Sequence, residues 1–214
     1  MELYPINLKL TGRRCGVIGG GAVAERKVMA LLTAGAEISV FSPVLTPGLN
    51  GLQETGRLAW IPRTYQAGDL HNFFLVFCAT NDPEINRQAA AEAQAAGALV
   101  TIADAPDLSD FYVPAHVAHG DLLLTISTGG GSPALSRRLR EELAARYGPE
   151  YGHYLTLLAK LRTEMKDRLA TAKDREKFWR ETIDQETLDL LKQGKFSEAE
   201  ERIRNAACCI GPES

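Results

Sequence analysis

The stretch Val17-Ile18-Gly19-Gly20-Gly21-Ala22-Val23-Ala24-Glu25-Arg26-Lys27 limits the folds open to this chain more than any other. An apolar run enters three consecutive glycines, and a helix-forming segment leaves them. Glycine loses more backbone entropy on ordering than any other residue, so three together imply a tight turn or a close approach to the backbone. Arg13 to Gly19 reads as a short buried strand, and Ala22 to Ala34 as a helix with Gly35 at its C′ position. In that context Gly19, Gly21 and Ala24 fit G-x-G-x-x-G/A. The first small residue makes the turn, the second admits a pyrophosphate to the backbone, and the third lets helix and strand pack closely. Unpaired N–H groups and the helix dipole favour the anion. Gly19, Gly20, Gly21, Ala22 and Val23 are therefore the expected cofactor-binding residues.

The strand–helix alternation continues. Glu37–Phe41 reads as a second strand, Thr46-Pro47 as an N-cap with Pro at N1, and Leu58–Ile61 as a third strand. Phe73–Ala79 is apolar throughout, as a strand buried on both faces should be. Asp82-Pro83 opens an Ala-rich helix through Ala96, and Leu99–Ala103 is a fifth strand. The expected fold class is α/β, with a Rossmann-like parallel sheet and helices on both faces. Phe111–Val117 and Leu122–Ser127, joined by the turn Ala118–Asp121, read as a hairpin appended to that sheet. A helix to Tyr147 follows, with Leu135, Leu139, Leu143 and Tyr147 on one face expected to be buried. After Gly148-Pro149 the composition turns charged and helical. Tyr154, Leu158, Leu161, Met165 and Leu169 form a stripe there, and Ser197 with Glu200 reads as a capping box. The domains expected are 1–113, nucleotide-binding; 114–147, a dimerisation hairpin and helix; and 148–214, a small helical domain.

A ribose-binding acid is usual about 20 residues beyond the glycines. Phe41-Ser42-Pro43-Val44 stands there instead, so Ser42 or backbone would hold the ribose, and both NAD and NADP stay open. Thr80, after the fourth strand, falls on the same carboxyl edge, on the nicotinamide side. A second glycine cluster, Thr128-Gly129-Gly130-Gly131-Ser132-Pro133, again leads into a helix, with Arg137 and Arg138 in its first turns. Hydroxyls, arginines and a helix N-terminus suit a second anionic group. The same residues also suit a loop before a solvated face, with the arginines paired to Glu141 and Glu142. Asp104 ends the fifth strand, where an aspartate is commonly a turn former and in a ligand-binding cleft serves as a general base.

The net charge of −3 argues against general nucleic-acid binding. No apolar run is long enough to span a bilayer, and the start Met1-Glu2-Leu3-Tyr4-Pro5 lacks the form of a secretory leader. Cys15 and Cys78 fall in predicted strands, as buried inert thiols. Cys208 and Cys209 lack metal-ligand spacing, and no metal site is expected. A cytoplasmic protein is expected. His116 and His119 flank a turn and read as structural or surface residues.

Three motifs in this order, Gly19-Gly20-Gly21-Ala22-Val23-Ala24-Glu25-Arg26-Lys27, the segment Thr101–Ala115 around Asp104, and Ile126–Glu141 with Gly129-Gly130-Gly131, closely resemble the precorrin-2 dehydrogenase family. That family includes the dehydrogenase/ferrochelatase module of siroheme synthases. The resemblance covers about residues 1–150. It implies NAD-dependent oxidation of precorrin-2 to sirohydrochlorin, followed in some members by ferrous iron insertion, and a homodimer. It places Asp104 on the catalytic aspartate, Gly19–Val23, Pro43 and Val44 on NAD-contacting positions, and Thr128 where some members carry serine. The substrate is a polycarboxylated tetrapyrrole, which suits Thr128, Gly129, Gly130, Ser132, Arg137 and Arg138 as its binding residues. The short helical tail is not expected to hold a methyltransferase domain. A non-catalytic alternative, a nucleotide-sensing regulatory module, accounts for the first glycine cluster but gives no reason for Asp104 or the second.

Overall fold

The computed structural model describes residues 3–168, 171–182 and 184–208, in two compact units, Tyr4–Val113 and the chain from Pro114 onward. The first unit holds a five-stranded parallel sheet in the order β3-β2-β1-β4-β5. Its strands are β1 (Arg14–Ile18), β2 (Glu37–Phe41), β3 (Ala59–Ile61), β4 (Leu75–Cys78) and β5 (Leu99–Ile102). Its helices are α1 (Ala22–Thr33), α2 (Pro47–Glu54) and α3 (Pro83–Ala95). The expected caps form: Thr46 accepts a bond from the Leu49 N–H, and Asp82 from those of Glu84 and Ile85.

Period-2 alternation with two buried faces splits each central strand between two cores. Cys15 and Val17 of β1 and Leu75 and Phe77 of β4 face α1 and α2, where Val28, Leu31 and Leu49 meet them. Ile18, Val76 and Cys78 face the opposite layer, against Ala89, Ala90 and Ala93 of α3. Small side chains let α3 lie close to the sheet. Burial pushes the Cys15 thiol up to about 11 and the Cys78 thiol up to about 12, so both stay protonated and inert at neutral pH.

The register matters for the site. Ile18 pairs with Phe41 and with Cys78, and Cys78 with Ile102. Four strands therefore end at one level, and four loops leave on one edge. The chain winds outward from β1 in one direction through β2 and β3, then restarts on the other side at β4. That reversal opens a crevice between the loops after β1 and β4.

The hairpin corrects an expectation. β6 (Ala115–His119) and β7 (Leu122–Ile126) form a separate two-stranded antiparallel sheet rather than an addition to the parallel one. The outer edge of β5 is already closed by its own following loop. The Val100 N–H donates to the Asp110 carboxylate at 2.9 Å, the Asp110 N–H to the Val100 carbonyl at 2.8 Å, and the Ile102 N–H to Ser109 Oγ at 2.9 Å. No free row of donors is left for a sixth strand. The hairpin turn is also tighter than expected, at Gly120-Asp121 with Gly120 at φ +56°.

The second unit continues with α4 (Pro133–Arg146), α5 (Pro149–Arg168), α6 (Ala172–Thr182), α7 (Gln185–Lys192) and α8 (Phe196–Cys208). Tyr154 and Leu161 of the expected stripe are buried with Phe178, Leu188, Leu191, Ala199 and Ile203, and Leu158 packs against them. The Met165 side chain, Leu169, the Cys208 side chain and Cys209 lie outside the described residues. Two readings fail here. The α4 stripe is not buried within the chain, since Leu139, Leu143 and Tyr147 are half-covered and Leu135 is 47% exposed. Ser197 does not cap α8. After the left-handed Gly194, the Lys195 N–H turns back to the Leu190 carbonyl and the helix starts at Phe196, two residues early. Glu200 instead accepts from Lys160 and Arg204.

Candidate active site

The crevice is a cleft of about 650 Å³, lined by all three glycines, by Ser42, Pro43, Val44 and Thr46 after β2, by Thr64 and Tyr65 after β3, and by Thr80 and Asn81 after β4. The glycines differ in what they do. Gly19 sits at φ +116°, and a Cβ there would lie 2.5 Å from the Ala79 carbonyl oxygen. A Cβ on Gly20 would lie 2.1 Å from the Val44 carbonyl oxygen. Both glycines are demanded by the fold. Gly21 is not: its φ is −86°, and a Cβ would meet nothing within 4 Å. The space over Gly21 is cleft.

Gly21 is also the N-cap of α1 and supplies no side-chain acceptor. The N–H groups of the first helical turn therefore have no side-chain cap, at a helix start whose N-cap residue lines the cleft, a cradle for an anion. The neighbouring loops are tied down by hydrogen bonds. The Ser42 hydroxyl donates to the Val44 carbonyl at 2.7 Å, Trp60 Nε1 to the Ser42 carbonyl at 2.8 Å, and the Thr46 N–H to the Gly20 carbonyl at 3.1 Å. On the other wall, the Thr80 hydroxyl donates to Asn86 Oδ1 at 2.8 Å, and Asn86 Nδ2 to the Thr80 carbonyl at 3.0 Å. Tyr65 is held by its hydroxyl on Glu92, 2.5 Å away, which also accepts from the Gly68 and Leu70 N–H groups. A backbone cradle, a hydrogen-bonded Ser42–Val44 loop and an apolar floor of Ile18 and Phe41 fit a dinucleotide without a ribose-binding acid.

Asn86, Glu92 and Tyr65 were missed by motif reading. Asn86 carried a signal, a polar residue on the apolar face of an Ala-rich helix, and it is 1% exposed. Sequence reasoning also missed Lys27. Its side chain lines a smaller cavity of about 200 Å³, to which Val23, Ala79, Ala103 and Pro106 also contribute. Val23, expected at the cofactor, faces this cavity.

Asp104 stands two residues beyond the end of β5, exposed on the same edge as the other loops. Its neighbours Ala103 and Pro106 line the smaller cavity, while Asp104 itself lines neither cavity. Its carboxylate takes part in no ion pair among the described residues. By contrast Asp110 is spent on the edge of β5.

The second glycine cluster belongs to the other unit. Gly129 and Gly130 sit at φ +60° and +84°, and Ser132 caps α4 by accepting from the Leu135 N–H at 3.2 Å. The Thr128 hydroxyl contacts Ser136 Oγ at 3.1 Å and the Ser132 carbonyl at 3.2 Å, and so ties the loop to the helix start. Arg138 pairs with Glu142 at 2.9 Å, and Arg140 lies 3.7 Å from Glu141. Arg137 is exposed and forms no ion pair among the described residues. His116 is exposed, with Nδ1 3.3 Å from the Pro114 carbonyl oxygen. Among the described residues there is no cluster of three or more His, Cys, Asp or Glu that could hold a metal ion, and no helix long and apolar enough to cross a membrane.

Residues 6–115 match an NAD(P)-binding family model, residues 120–146 the central region of sirohaem biosynthesis proteins, and residues 150–206 the sirohaem synthase dimerisation region. The chain is 36% identical over 206 residues to the siroheme synthase of Methylobacillus flagellatus, covering 96% of this chain and 43% of that protein. It is 36% identical over 194 residues to that of Chromobacterium violaceum, covering 91% and 41%. The chain thus spans about two fifths of the length of these relatives. The solved structure of SirC, a precorrin-2 dehydrogenase, aligns with a TM-score of 0.78 at 30% identity, over 94% of this chain and 100% of that one.

Proposed function

Because this chain belongs to the family of siroheme synthases and precorrin-2 dehydrogenases, we propose that it oxidises precorrin-2 to sirohydrochlorin with NAD. The observation that carries the reading is the pairing of two features on one sheet edge. One is a cleft whose only space-facing glycine, among the three, is Gly21; the other is Asp104, an exposed carboxylate after β5 on the same edge that forms no ion pair among the described residues. The first-turn N–H groups of α1 from Ala22 and Val23 hold the pyrophosphate against Gly20 and Gly21, Ser42, Pro43 and Val44 take the ribose, and Thr80 faces the nicotinamide half. NAD, when bound, supplies the hydride acceptor. Asp104 takes the proton that leaves the macrocycle as it is oxidised, and its exposure returns that proton to solvent. Thr128, Gly129, Gly130, Ser132, Arg137 and Arg138 recognise the carboxylates of the tetrapyrrole, with Arg137 in no ion pair among the described residues.

The test is spectroscopic. Purified protein with precorrin-2 and NAD is expected to give the absorption of sirohydrochlorin together with one NADH per macrocycle. NAD binding without turnover would favour the nucleotide-sensing reading instead. Ferrous or cobaltous ion added to a parallel sample measures metal insertion, where Asp104 would serve as base for the pyrrole protons. No nucleic acid or membrane enters this reading, and the reaction is placed in the cytoplasm.

The protein is proposed to act as a homodimer. The match of residues 150–206 to a dimerisation region supports this, as does the half-covered stripe of α4, with Leu135 open to solvent. Sedimentation at micromolar concentration is expected to give the mass of two chains, and a single monomeric species would refute it.

A further inference from the structure

Lys27 lies one helical turn from Val23, and both side chains line the cavity of about 200 Å³ beside β4. It is half-buried, and its ammonium stands 5.6 Å from the centre of the Phe77 ring. The charge acting on it is a like one, from Arg26; burial and that charge both lower its pKa. No carboxylate of the described residues forms an ion pair with it. A half-buried cation facing a cavity with no internal counter-charge is costly unless a ligand supplies one.

The cavity's position says which ligand. Ala79 lines both it and the cofactor cleft, so the two adjoin at the carboxyl end of β4. Ala103 and Pro106, on either side of Asp104, form another part of its wall. Its volume is below the several hundred Å³ usual for drug-sized ligands, so it excludes a nucleotide or a macrocycle core. It has room for a carboxylate-bearing side arm.

We propose that Lys27 is a substrate-binding residue: its ammonium pairs with one peripheral carboxylate of the tetrapyrrole in this cavity, and so fixes which edge of the macrocycle faces Asp104. This rests on the precorrin-2 reading above. A hydrogen bond to a charged group accounts for about a 10- to 100-fold change in affinity. Lys27→Gln is therefore expected to raise KM for precorrin-2 by about tenfold or more, with the NAD Kd within twofold of wild type. Lys27→Arg, which keeps the charge, should recover most of the loss. Removing an unpaired half-buried charge should leave Tm unchanged or raise it. The measurements are steady-state oxidation of precorrin-2, calorimetric titration with NAD, and thermal melting of the same three proteins. An unchanged KM in Lys27→Gln overturns the proposal. So does a weakened NAD Kd, which would assign the ammonium to the cofactor, or a lowered Tm with unchanged KM, which would make it structural. Wild-type protein that binds NAD but does not oxidise precorrin-2 removes the underlying reading, and the subsite with it.

Discussion

Asp104→Asn is expected to slow precorrin-2 oxidation by about 10²–10⁴-fold, the usual worth of a positioned general base. Asparagine keeps the shape of the side chain and cannot accept a proton. The fold should not notice. Asp104 is exposed and in no ion pair among the described residues, and substitutions at such sites stay within about 0.5 kcal/mol. NAD affinity should persist too, since Asp104 does not line the cofactor cleft. The rate loss should therefore appear in kcat and kcat/KM together, as for an interaction made in the transition state. Asp110 is the control. Its carboxylate accepts the Val100 N–H at 2.9 Å and Gln94 Nε2 at 3.0 Å, so Asp110→Asn should lower Tm through the edge of β5 and leave the chemistry to the folded fraction. Near-normal oxidation by Asp104→Asn would reduce Asp104 to a turn residue. If cobalt insertion is present in the wild type, its rate in the same variant shows whether both chemistries use one base.

Local chemistry was the most legible part of this chain. Thr46, Asp82 and Ser132 each precede a proline, and each caps its helix, because cap and N1 preferences act over four residues and need no tertiary partner. The apolar run Phe73–Ala79 likewise announced a strand with two buried faces. Ser197 with Glu200 has the same local grammar and fails, because the left-handed Gly194 fixes the start of α8 two residues earlier. The hairpin's detachment depends on Ser109 and Asp110 folding back onto β5, a contact between segments that periodicity does not encode. The site divides the same way. The glycines announce a cleft by what they lack. Lys27 and Asn86 matter through where their helices lie on the sheet, and in sequence a lysine on an amphipathic helix looks like any solvated one.

The glycine loop itself separates fold from function at adjacent positions. At Gly21 the backbone is one any residue adopts, a side chain meets open space, and the position is the N-cap of α1. Aspartate is among the best N-cap residues, worth about 1 kcal/mol over a residue that cannot cap, though only a few tenths over glycine. Gly21→Asp should therefore melt at or slightly above the wild-type temperature when no nucleotide is present. The same carboxylate would stand where a pyrophosphate approaches the helix N-terminus. Two unit charges about 4 Å apart repel by about 4 kcal/mol at an effective dielectric of about 20, roughly a thousandfold in affinity. The expected result is thus a protein that is no less stable and has all but lost NAD binding by calorimetry. Gly20→Ala should do the opposite. Its methyl group would lie 2.1 Å from the Val44 carbonyl oxygen, so the β2–α2 loop must shift and Tm should fall before any ligand is added. A Gly21→Asp protein that binds NAD like wild type would take this loop out of the cofactor site.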